Sequence, residues 1–204
     1  MRKNLEKAST RERFDHLISL LSSQRFLNRE GLGNEVPFFV CPFAPLEAIE
    51  FAQIVSQLTR QLAQNGIRIL DVNLYDLAIE MLDKDGDLKW ILDSEPGHEK
   101  VKILNHLRGV LGTEDHLIPA IEEKMKNAAG FQILFLTGIG EVFPYIRSHT
   151  VLNNLQRIAK EQPTVMFFPG TYSHSLEKGA SLELFGRLRD DKYYRAYNVY
   201  DREA

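Results

Sequence analysis

The sequence predicts a single three-layer α/β domain over residues 1–204, a mostly parallel sheet flanked by helices. Three observations lead there. Residues 131–136 and 163–168 are nearly unbroken apolar runs without the alternation of a half-exposed strand, which marks strands covered on both faces. Between them Val151, Leu152, Leu155 and Ile158 recur at helical spacing, so the three segments read as a β-α-β crossover. The same strand, helix, strand order recurs nearer the start, over residues 36–72, as in P-loop nucleotide-binding domains.

Taken in order, Ser9 caps a predicted helix whose Phe14, Leu17, Ile18 and Leu21 share one face, and residues 1–30 are read as a docking helix and connector. Glycines and asparagines over 28–34 break the pattern. A first strand covers 36–41, with Pro37 tolerated at its start. Residues 41–45 make a turn, 46–65 a long helix carrying Phe51, Val55, Leu58 and Leu62, and Gly66 ends it. A second strand follows over 67–72. Asn73 caps a helix with Leu74, Leu77, Ala78 and Leu82, and helical patterns around Leu104 and Ile121 lead to the central unit. After it, residues 177–181 form a turn, 182–186 an apolar run, and 193–200 a last strand alternating tyrosines with polar residues; an edge strand is expected to run antiparallel.

Composition narrows the function. Apolar residues at 44% and charged residues at 26% are globular values, and a net charge of -3 offers no global attraction to nucleic acid. The single cysteine, Cys41, excludes an intrachain disulfide and a cysteine-rich zinc site. No secretion signal or membrane-spanning run is evident, so a cytoplasmic location is expected.

Motifs for chemistry are tested and fail. A phosphate cradle needs convergent amides, a lysine and a hydroxyl; residues 41–47 hold no glycine, lysine or hydroxyl, and Pro42 and Pro45 lack amide donors. The expected P-loop-like topology therefore comes without Walker motifs. Gly138-Ile139-Gly140 does not extend to a dinucleotide fingerprint. Asp83, Asp85 and Asp87 miss the calcium-loop pattern, since its sixth and twelfth positions lack Gly and Glu. The six histidines show no zinc-helix spacing, Ser148-His149 and Ser173-His174 lack a nucleophile elbow, and Ser148 is read as a helix cap. No catalytic residue, metal or cofactor is assigned. What remains is a location, because open α/β sheets bind ligands beyond the carboxyl ends of their strands. Gly138, Gly140, Arg147, Ser148 and Gly170 fall there, and with Tyr194 and Arg195 they are the candidate interaction or anion residues.

Pro37-Phe38-Phe39, Leu74-Tyr75-Asp76-Leu77, Leu136-Thr137-Gly138-Ile139-Gly140, Pro144-x-x-Arg147-Ser148-His149, Leu152-Asn153-Asn154-Leu155, Phe167-Phe168-Pro169-Gly170, Leu184-Phe185-Gly186 and Tyr194-Arg195-Ala196 together resemble the BrxB family. That family is a small component of BREX, the bacteriophage-exclusion defence systems, and the resemblance runs from the first helix to the last strand. It implies a cytoplasmic protein acting beside a methyltransferase, an AAA-type ATPase and a PglZ-like protein. It transfers no active site. The leading expectation is a non-catalytic assembly subunit of a BREX complex, with the PglZ-like component as the first partner to test. The alternative is a degenerate nucleotide-binding or nucleic-acid-acting protein with its site near Gly138 and Gly170. DNA binding through Arg187, Arg189, Lys192 and the terminal tyrosines is a third expectation, most naturally within the complex.

Overall fold

Two apolar clusters, one on each face of a mixed sheet, organise the fold. The structure is a computed structural model and describes residues 5–31, 37–175, 179–190 and 196–203.

The chain opens with α1 (Thr10–Ser22) and α2 (Gln24–Leu27). Ser9 and Glu12 form a reciprocal capping box at the start of α1, satisfying two amides that the helix cannot. Strand β1 (Phe38–Phe43), helix α3 (Ala48–Gln64) and strand β2 (Ile69–Asn73) follow. Then come α4 (Leu74–Lys84), α5 (Asp87–Ser94), α6 (Lys100–Val110), a π-helical turn over Thr113–Leu117 and α7 (Ile118–Asn127). The central unit is β3 (Ile133–Thr137), α8 (Ser148–Leu155) and β4 (Thr164–Ser175). Strands β5 (Gly179–Leu184), β6 (Leu188–Asp190) and β7 (Tyr197–Asn198) complete the order.

Five strands lie in the order β2-β3-β4-β1-β7, and each neighbouring pair is parallel. The second half of β4 leaves this layer and pairs antiparallel with β5, which pairs antiparallel with β6. The sheet is therefore mixed, and its antiparallel part is a hairpin that extends β4.

Why the strands look uniformly apolar is now plain. Successive side chains point to opposite faces, and here both faces are covered. Ile133 and Phe135 join one cluster while Leu134 and Leu136 join the other; Val165 and Phe167 divide from Met166 and Phe168 in the same way. The cluster around Phe39 and Phe135 is closed by α1 and α3, with Leu17, Leu21, Leu58 and Leu62 wholly buried. On the other face, α4, α6, α7 and α8 supply Leu77, Ile103, Ile121 and Leu152. The β1-to-β2 and β3-to-β4 connections run along the sheet in opposite directions, so a common crossover hand puts their helices on opposite faces.

Three expectations are corrected. The turn placed at 41–45 begins later, since Cys41, Pro42 and Phe43 belong to β1. Strand β7 pairs only with Phe39 and Val40, so at Pro42 one side of β1 lacks a partner strand among the described residues, a position where proline costs no ladder bond. Strand β4 does not stop at Pro169-Gly170 but runs to Ser175. Gly170 permits this, because a Cβ there would lie 2.1 Å from the Glu183 carbonyl oxygen of β5. The final strand is short. Asn198 accepts from the Tyr200 amide and turns the chain into a 3-10 turn at Val199, and residues 191–195 lie outside the described residues.

Candidate functional site

Strands β1 to β4 run in one direction, so their carboxyl ends share one edge of the molecule. There α3 departs toward one face and the chain after β3 toward the other. A cavity of about 590 Å³ opens between these departures, at the crevice that such sheets use for ligands. Phe51, Val55 and Thr59 of α3 line one side, and Gly138, Ile139 and Gly140 line the other. The Phe43 and Phe51 rings stack at 4.4 Å between centroids with an 11° interplanar angle. Phe185 lines the same cavity from the β5–β6 turn. Its backbone has φ +56°, a left-handed conformation uncommon for a bulky residue. Gly140 leaves room for that ring, since a Cβ would sit 2.9 Å from Phe185 Cε1 and 3.0 Å from Pro169 Cγ.

The polar end of the crevice is built from β2 and β3. The Thr137 hydroxyl donates to Asp71 Oδ1 at 3.0 Å. Asp71 is solvent-exposed, yet the protein beside it partly desolvates its carboxyl and raises it above the usual range, a shift the Thr137 bond partly offsets and the Asp76 charge reinforces. Two residues on, Asn73 Oδ1 accepts from the amides of Tyr75 and Asp76 at 2.9 and 3.3 Å and starts α4. Gly138, at φ +70°, fits against this cap, for a Cβ would fall 2.3 Å from Asn73 Oδ1. Only glycine accepts both that approach and that backbone without strain.

The loop from β1 to α3 is built around an ion pair. Glu47 sits there and holds Arg13 of α1 in a bidentate pair, Nη1 to Oε2 at 2.8 Å and Nη2 to Oε1 at 2.9 Å. The Arg13 guanidinium also lies over the Phe51 ring, 4.9 Å from its centroid. This pairing holds the Glu47 carboxyl below its usual range. The loop is thus a clamp for the first helix. Its outer side is different. Leu46 is 101% exposed and Ile49 81% exposed, beside the crevice residues Pro45 and Ala48.

The sequence candidates separate in space. Gly138 and Gly140 line the crevice. Gly170 does not; it lets β5 approach β4. Arg147 and Ser148 begin α8, and Arg147 lines a different cleft with Arg108. Ser148 is not the cap expected of it, since Arg147 occupies the N-cap position and no side chain caps the helix. Tyr194, Arg195, Lys192 and Tyr193 lie outside the described residues. Cys41 is buried against the Tyr200 hydroxyl, and burial pushes its thiol up to about 12. Among the described residues no group of three or more His, Cys, Asp or Glu side chains is placed to hold a metal, and no helix is long and apolar enough to cross a membrane. The residues that sequence reasoning missed are Asp71, Phe185, Leu46 and Ile49. Leu46 and Ile49 did carry a signal, because they fall off the Phe51-Val55-Leu58-Leu62 stripe.

Comparison with known proteins decides the family. Residues 70–199 match the family model described as BREX protein BrxB. The chain belongs to the BrxB family. A Bacillus cereus (strain H3081.97) protein named BREX protein BrxB is 36% identical over 195 residues, covering 94% of this chain and 97% of that protein. An Escherichia coli O9:H4 (strain HS) protein of the same name is 26% identical over 187 residues, covering 92% of this chain and 90% of that protein. No solved structure matches the chain. The family match spans the Asp71, Gly138 and Phe185 sides of the crevice, and both relatives align over nearly all of the chain.

Proposed function

We propose that this chain is a non-catalytic assembly subunit of a BREX phage-defence complex, and that the crevice at the strand ends is the surface by which it holds a partner. The observation that carries this reading is the apolar rim. Leu46 and Ile49 stand almost fully in water beside a cavity lined by Phe43, Phe51, Ile139 and Phe185. Contiguous apolar surface next to a pocket is characteristic of an interaction site. An apolar or aromatic anchor from a partner would fill the cavity, and Leu46 and Ile49 would be covered around it. The left-handed Phe185 supports the same view, since backbone held in such a region is concentrated at functional sites.

The BREX assignment is carried by kinship to proteins named as BREX components. The PglZ-like protein is the first partner to test. The parallel strand order supports a P-loop-related framework, while Glu47 and Pro45 in the first turn argue against a phosphate cradle at that turn. In low-salt size-exclusion chromatography the protein should co-migrate with the PglZ-like component. Failure to co-migrate with any BREX component would remove the basis of this reading.

A further inference from the structure

The later part of the β3–α8 loop lines a second cleft, of about 270 Å³, which shares no lining residue with the crevice. Arg108, from the last turn of α6, and Arg147, at the start of α8, both line it. Thr113, Thr150 and Tyr145 share the lining, and no carboxylate does. Neither guanidinium has a hydrogen-bond or ion-pair partner among the described residues. Glu114, adjacent to the lining in sequence, is already held by Arg157 Nη1 at 2.6 Å, and Asp115 lines a different pocket. In a chain of net charge -3, two unpaired arginines facing one carboxylate-free cleft are a local reversal of charge.

We infer that this cleft is a phosphate-binding site, taking the phosphate of a nucleotide or of a nucleic-acid strand. Guanidinium is suited to this because its planar fork donates two parallel hydrogen bonds to phosphate oxygens. The hydroxyls of Thr113 and Thr150 add neutral donors, and the start of α8 adds its partial positive charge to that of Arg147. Tyr145 is partly exposed in the same lining and offers a ring on which a base can stack. The site is independent of the apolar crevice, so either can fail alone.

The test uses the full chain and two probes. Pyrophosphate is titrated calorimetrically, and a fluorescein-labelled oligodeoxythymidylate about 12 nucleotides long, within the site sizes of single-strand binders, is followed by anisotropy. Binding of either is expected, with affinity falling roughly tenfold in Arg108→Ala and in Arg147→Ala, as loss of a charge-assisted contact implies. A comparable affinity for both probes assigns the site to small nucleotides. A tighter oligonucleotide, with a salt slope reduced by roughly 0.7 for each lost contact, assigns it to a strand backbone. Arg108 is exposed, so Arg108→Ala decides alone if Arg147→Ala disturbs α8. No binding of either probe, or unchanged binding in a folded Arg108→Glu variant, would overturn the inference.

Discussion

Gly138 is the residue whose replacement should be felt most directly at the crevice. Alanine there would meet Asn73 Oδ1 at 2.3 Å and the Tyr75 amide at 3.0 Å while holding φ +70°. Gly138→Ala should therefore cost about 1–3 kcal/mol in urea unfolding. Asn73→Ala should cost about 1 kcal/mol through loss of the α4 cap. Because the clash is with that same side chain, the double variant should cost less than the sum, and strict additivity would refute the contact. Glu47 gives a pH test. Its folded carboxyl lies below its unfolded value, so its contribution is present above the unfolded pKa and is lost as pH falls through the folded one. Glu47→Gln should lower stability at pH 7 and flatten its acid-side decline. The loss should be about 2–3 kcal/mol, below that of a fully buried pair because the Glu47 side chain is 32% exposed. A decline on acidification as steep as in the parent protein would rule out this role.

At the scale of elements, the β5–β6 hairpin hangs on β4 through Gly170. Gly170→Ala drives a Cβ onto the Glu183 carbonyl, and backbone cannot move aside as a side-chain end can. We expect a loss of at least about 2 kcal/mol, with faster hydrogen exchange concentrated at residues 179–190. Exchange unchanged there would mean that the hairpin is held by other contacts. The same elements show what sequence could and could not reveal. Strands β3 and β4 and helices α3 and α8 were legible because burial on both sheet faces and one apolar helix stripe leave direct marks in residue order. The continuation of β4 past Pro169 was not, since it depends on a partner strand that arrives later in the chain. Pro42 misled for a related reason: whether a proline ends a strand depends on which neighbour is missing, and neighbours are a property of topology. The carboxyl-end location of the crevice followed from the βαβ order, but its α3 wall and the Phe185 ring required the packed fold.

For the whole molecule, the parallel strands aim their ends at one edge, two crossovers leave that edge in opposite directions, and the gap keeps an apolar lining with Leu46 and Ile49 beside it. Both leucine and isoleucine here are surface residues that fill no core, so charging them should leave folding intact. Leu46→Asp/Ile49→Asp should melt within a few degrees of the parent, as surface substitutions change stability by roughly 0.5 kcal/mol each. Calorimetric titration of this variant against the purified PglZ-like component tests the docking surface most directly. The parent protein should bind and the folded double variant should lose at least about tenfold in affinity, as removal of interface anchors does; binding by the variant equal to that of the parent would contradict the crevice as the partner surface.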